Sequence, residues 1–138
     1  MCYHPSRQWL ADNGYNPDKA GAVEIGDVRH FLAWSREQPM MVLHEFCHAY
    51  HDQALGYDYQ PIRDAYQNAV DKKLYDRVLR ANGHYERAYA INNDQEYFAE
   101  SCEAYFGTND FYPFVRAELI EHDPLMAQTI RKAWGLDK

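Results

Sequence analysis

The sequence predicts a mainly helical α+β fold, compact and organised as one domain over 1–138, and three observations carry that prediction. Proline stands where it can be the first residue of a helix at Asn16-Pro17, Gln38-Pro39, Gln60-Pro61, Tyr112-Pro113 and Asp123-Pro124, while Gly56, Gly107 and Gly135 fall where helices would stop. Two segments, Pro39 to Leu55 and Gln95 to Phe106, carry apolar residues around most of a helical circumference, which places both helices in the interior. Between them, Asn82-Gly83 separates two short stretches with β-formers, the strongest short hairpin signal. A chain of 138 residues, 46% apolar and 15% aromatic, is long enough for one hydrophobic core and too short for two comfortable ones.

Taken in order, the chain opens with a short helical turn near Ser6 to Asn13, followed by a strand candidate at Ala22 to Ile25. Asp27 can cap a helix of about Val28 to Arg36, whose Phe31, Leu32 and Trp34 are expected to pack inward. The Pro39 to Leu55 helix follows. A tyrosine-rich loop, Gly56 to Gln60, leads to a helix from Pro61 to about Tyr75, and Asp76 to Tyr89 then forms the hairpin. Asn92, Asn93 and Asp94 supply cap residues for the helix from about Gln95 to Phe106. Two helices, Pro113 to Glu121 and Pro124 to Trp134, close the chain. No internal repeat or linker divides it.

Composition removes several classes of function. A formal charge of -7 without a Lys/Arg block argues against a nucleic-acid or anionic-membrane partner. No stretch has the length of a membrane span, and Met1 to Leu10 lack the apolar run of a secretory signal. Cys2, Cys47 and Cys102 are odd in number and follow no metal-ligand spacing, so they read as two buried thiols and one near the terminus rather than a disulfide framework.

The chemistry concentrates in His44-Glu45-Phe46-Cys47-His48. On a helix, residues 44 and 48 lie one turn apart on the same face, so two imidazoles can reach one cation while Glu45 stands beside them. This is the H-E-x-x-H arrangement of zinc hydrolases. Two nitrogen ligands leave room for a third protein ligand and a water, and an adjacent carboxylate can take that water's proton. Cys47 is angularly a poor co-ligand. His51 shares the face, but it lies about 10.5 Å along the axis from His44, too far for one ion to serve both, and is expected at the polar rim or behind the ligands. The metzincin continuation also fails, since Ala54, Leu55, Gly56 and Tyr57 follow.

A carboxylate from a second buried helix is the remaining solution. Glu96, Glu100 and Glu103 fall at i, i+4 and i+7 among aromatics, an acidic stripe on an otherwise apolar element. Buried carboxylates require cations or donors, which two imidazoles and a metal would supply. The competing reading makes the stripe the solvated face of an amphipathic helix.

With Asn93-Asp94-Gln95-Glu96-Tyr97-Phe98-Ala99-Glu100 downstream of the H-E-x-x-H, the sequence resembles the zincin metallopeptidases whose third zinc ligand is a Glu, most closely the type of the anthrax lethal factor catalytic domain. The resemblance covers about Leu43 to Phe106, roughly half of the chain. It implies a zincin-like domain in which His44, His48 and Glu96 hold Zn²⁺ and Glu45 acts as general base and then general acid. It further implies that Tyr89, seven residues before Glu96, hydrogen-bonds the tetrahedral oxyanion, and that Glu100 accepts the ring N–H of a ligand His. The chain departs from such peptidases in one respect: only Val23 to Ile25 could act as the substrate-pairing edge strand, which leaves either a minimal domain or the C-terminal portion of a longer protein.

The function expected from these residues is zinc-dependent hydrolysis of peptide bonds in a peptide or protein substrate, through a metal-activated water with Glu45 as base. Two rivals belong to other classes. One is a zinc-binding structural or interaction domain without turnover; the other is a helical interaction domain without metal, its histidines satisfied by the acidic stripe. An intact Glu45 disfavours the first, because a structural site needs only ligands and closes its fourth position with protein.

Overall fold

The computed structural model describes residues 1–136 and is mainly helical, with seven α-helices and two small antiparallel strand pairs among the described residues. Its axis is α5 (Asp94–Phe106), in which every residue from Tyr97 to Tyr105 is buried. Asn93 starts it, its side-chain oxygen accepting from the Glu96 amide at 2.8 Å. Against α5 lies α3 (Met41–Tyr50), which runs on through a wider π-helical turn, His51–Leu55, before Gly56 ends it. The two helices are antiparallel. His44 reaches Glu103 near the end of α5, while His48, one turn later, lies against Glu96 near its start.

Three further helices close the core around α5: α4 (Gln60–Asp71), α6 (Arg116–His122) and α7 (Pro124–Ala133). Tyr97 and Phe98 are fully buried with Ile62, Leu119, Met126 and Ile130, each side chain contributing about 1.5 to 3 kcal/mol of burial. A buried carboxylate ties this side together. Asp123 caps α7 by accepting from the Met126 amide at 3.1 Å, and its other oxygen accepts from the hydroxyls of Tyr75 (3.2 Å) and Tyr97 (2.5 Å).

The N-terminal part forms a smaller layer over the outer side of α3. Strand β1 (Cys2–Tyr3) pairs with β2 (Val23–Glu24) in the register Cys2 to Glu24 and Tyr3 to Val23, with helix α1 (Arg7–Asp12) in the connection. Helix α2 (Val28–Trp34) follows. The second pair, β3 (Val78–Leu79) with β4 (Tyr85–Glu86), turns at Asn82-Gly83, where Asn82 Oδ1 accepts from the His84 amide at 2.9 Å. A 3₁₀ turn, Tyr89–Asn92, then delivers the chain to α5.

Several expectations need correction. Asp27 does cap α2, accepting from the amides of Arg29 and His30, but Leu32 is 59% and Trp34 50% exposed rather than packed inward. The core is already filled by α3 to α7, and α2 is too short to cover it. The helix expected to reach Tyr75 stops at Asp71, because Lys73 takes a left-handed conformation (φ 55°) that turns Tyr75 in toward Asp123. The helix expected from Pro113 begins at Arg116, since Glu118 reaches back to accept from the amides of Phe114 and Val115. Strand β1 has no counterpart in the sequence reading.

Candidate metal centre

The packing of α3 on α5 brings together the three side chains that the motifs single out. His44 Nε2 lies 3.0 Å from His48 Nε2 and 3.1 Å from Glu96 Oε2, and His48 Nε2 lies 3.4 Å from the same Glu96 oxygen. One helical turn on α3 and the first turn of α5 thus present three ligating atoms at the corners of a small triangle. The donors of a tetrahedral ion with bonds of about 2.0 to 2.1 Å stand about 3.4 Å apart, so the triangle fits with slight expansion.

Hydrogen bonding alone explains the triangle poorly. His44 Nδ1 faces Glu103 Oε1 at 2.7 Å and so carries a proton, which in the neutral ring leaves a lone pair on Nε2. That lone pair would confront the Glu96 carboxylate, whichever tautomer His48 takes. Without a metal, the conflict is relieved by protonation. Burial opposes a charge on His44, but its hydrogen bonds to Glu103 and Glu96, with attraction to Glu103 and Glu100, outweigh burial and lift its pKa to about 10. Burial likewise opposes ionisation of Glu96, but the two histidines hold it down at about 2. The surrounding carboxylates favour a positive charge at this point, and a divalent cation there would replace the proton with a stronger one.

The acidic stripe faces α3 and not solvent. Glu100 is 6% and Glu103 8% exposed. The sequence reading put Glu100 behind the ligand histidine, but the short contact to His44 belongs to Glu103; Glu100 Oε1 stands 4.0 Å from Nδ1. The antiparallel crossing accounts for this, since it carries His44 toward the C-terminal end of α5, where Glu103 lies on nearly the same face as Glu96. Burial, reinforced by the charge on Glu103, pushes Glu100 up to about 8, so it is mostly protonated at neutral pH. His44, Glu100 and Glu103 also converge, but there the short contact already satisfies the ring proton.

Glu45 follows His44 on α3, and its Oε2 accepts from the backbone amide of Tyr3 at 2.7 Å. The β1–β2 pair therefore fixes the carboxylate that would act as base. Tyr89 starts the 3₁₀ turn before α5, and its hydroxyl lies 3.5 Å from Glu96 Oε1. The charge of Glu96, then partial burial, raises its pKa, which keeps the phenol protonated as a donor. A cleft of about 780 Å³ is lined by His44, Glu45 and Tyr89, with Trp34, Arg80 and Asn109 also on its walls.

No known family matches the chain, and comparisons with curated proteins and with solved structures return no significant match. Its functional reading therefore rests on these residues and their geometry.

Two neighbours take structural places. Cys47 is fully buried in the core. His51, expected at the polar rim or behind the ligands, is also fully buried, edge-on to Tyr57 and Phe98, with neither ring nitrogen hydrogen-bonded. Burial pushes its pKa down to about 4, so it is a neutral packing element. Sequence reasoning missed the roles of Glu103 and of the Tyr3 amide. Glu103 was visible as the third member of the stripe, whereas a main-chain donor leaves no trace in residue identity.

Proposed function

We propose that the chain is a zinc-dependent metallopeptidase acting on a peptide or protein substrate, with Zn²⁺ held by His44, His48 and Glu96. The observation that carries the reading is the convergence of three ligating atoms within 3.0 to 3.4 Å, beside a base candidate that lines the same cleft. Bound there, Zn²⁺ would supply Lewis acidity toward the substrate carbonyl and bring the pKa of water toward about 7.

Each residue then has a task. Glu45, oriented by the Tyr3 amide, takes a proton from the attacking water and returns it to the leaving amine. The protonated Tyr89 hydroxyl donates to the carbonyl oxygen as negative charge develops there. Glu103 holds the proton on His44 Nδ1, which fixes the tautomer that leaves Nε2 free to ligate. The cleft beside Trp34 and Arg80 accommodates the peptide.

The test is to incubate untagged wild type and Glu45→Gln with a diverse peptide mixture and follow new termini by mass spectrometry, with zinc content measured in parallel. Cleavage by the wild type that falls at least about 100-fold in Glu45→Gln supports the proposal. Equal zinc in both with indistinguishable products overturns it in favour of a zinc-binding domain without turnover. Absence of zinc favours the metal-free helical module.

A further inference from the structure

A second group of metal-ligating side chains lies on the N-terminal strand pair. Residues two apart on a strand share a face, and directly opposed residues on an antiparallel partner share it too. Cys2 and His4 are two apart, the His4 amide extending the ladder to Ala22 O at 3.1 Å, and Glu24 is the cross-strand partner of Cys2. All three side chains meet on that face. Cys2 Sγ is 3.5 Å from His4 Nε2, and His4 Nε2 is 2.8 Å from Glu24 Oε2, with the three donor atoms within 4.8 Å of one another. For bonds of about 2.3 Å to sulfur and 2.0 to 2.1 Å to nitrogen, a tetrahedral ion separates an S,N ligand pair by about 3.6 Å, close to the separation found.

From this arrangement we infer a second metal site, formed by Cys2, His4 and Glu24 on the β1–β2 pair and suited to Zn²⁺. One imidazole nitrogen stands against a sulfur and a carboxylate oxygen at once, and a cation at their meeting point would engage all three. Thiolate, imidazole and carboxylate together suit a borderline-soft ion of the zinc type and exclude magnesium or calcium, which take oxygen ligands. Lys19 completes the arrangement. Its ammonium pairs with Glu24 Oε1, leaving Oε2 to ligate and fixing the carboxylate from outside. The metal would clamp the two strands together, and β1 is the strand whose Tyr3 amide holds Glu45. Its place is therefore structural, and it stands independently of the peptidase proposal.

The test uses the full untagged chain under reducing conditions, loaded with zinc or cobalt and freed of excess. Native mass spectrometry should find two zinc equivalents in the wild type and one each in Cys2→Ala, Glu24→Gln and His48→Ala. With cobalt, a thiolate-to-metal charge-transfer band should appear in the wild type, disappear in Cys2→Ala and persist in His48→Ala. Circular dichroism matching the wild type shows that the variants are folded, and the conservative Glu24→Gln provides a second route if Cys2→Ala is not. A wild type without the thiolate band, or a band that survives Cys2→Ala, overturns the inference. A protein that keeps the band but shows no difference between wild type and Glu45→Gln on peptides retains this site and loses the peptidase reading instead.

Discussion

Replacing Glu103 by Gln should separate the roles of the two buried acids behind His44. Glu103 accepts a charge-assisted hydrogen bond of 2.7 Å from Nδ1, whereas Glu100 stands at 4.0 Å and, with a pKa of about 8, is mostly protonated at pH 7. Glutamine is close in shape to a protonated Glu, so Glu100→Gln changes little at neutral pH. In Glu103→Gln the carboxylate that orients and polarises His44 is gone. Such outer partners are worth about 10 to 100-fold in metal affinity, equivalent to about 1.4 to 2.7 kcal/mol. Competition for zinc against a chromogenic chelator at pH 7 should show that weakening for Glu103→Gln and less than about 3-fold for Glu100→Gln. A second readout needs no metal: NMR titration of the His44 ring in the chelator-treated protein should show its pKa fall well below about 10 in Glu103→Gln. Equal effects from the two substitutions, or a larger one from Glu100→Gln, would refute the assignment.

Three further outcomes follow from the same structure. The metal-free protein should lose stability between pH 6.5 and 8: folded-state pKa values raised to about 8 for Glu100 and about 10 for His44 favour folding below their unfolded values, and that benefit drains away as pH rises, so its Tm should be lower at pH 8 and the slope shallower in Glu100→Gln. Asp123→Ala should cost about 3 kcal/mol or more in denaturant unfolding, because it removes the shared acceptor of the buried Tyr75 and Tyr97 hydroxyls, leaving Tyr97 only its longer contact to Ala65 O, and uncaps α7, with Asp123→Asn milder; a loss below about 1 kcal/mol would contradict the account. His51→Leu should leave zinc content unchanged and keep or raise Tm, since the ring it replaces is neutral, buried and without hydrogen bonds; loss of metal would return His51 to the site.

How much could be read from the sequence depended on how local the determining physics was. Asp27 and Asn93 cap their helices as their side chains require, and Asn82-Gly83 makes its turn, because each depends on neighbours within a few residues. The pairing of His44 and His48 is likewise set by one helical turn. The choice between Glu100 and Glu103 was not legible, since both share a face with Glu96 and only the direction and depth of the α3–α5 crossing select one. Leu32 and Trp34 misled for the converse reason: their spacing is that of a packed helix, but whether a core remains to receive them is decided by α3 to α7. A strand of two residues, such as β1, carries no period at all. Cys2, His4 and Glu24 meet through that pairing, which brings position 24 beside position 2.

The hold of Tyr3 on Glu45 has a genetic consequence. Because the donor is a main-chain N–H, nineteen of the twenty amino acids carry it at position 3, and what an alanine there removes is the buried ring and its hydroxyl's donation to Asp52, not the contact with Glu45. Only proline, or replacement of that amide by an ester, removes the hydrogen bond itself. The donor is thus independent of the residue at position 3, and the alignment of the proposed base is exposed instead to changes that shift the strand: loss of the Tyr3 hydroxyl's hold on Asp52, insertions, deletions and loss of pairing with β2.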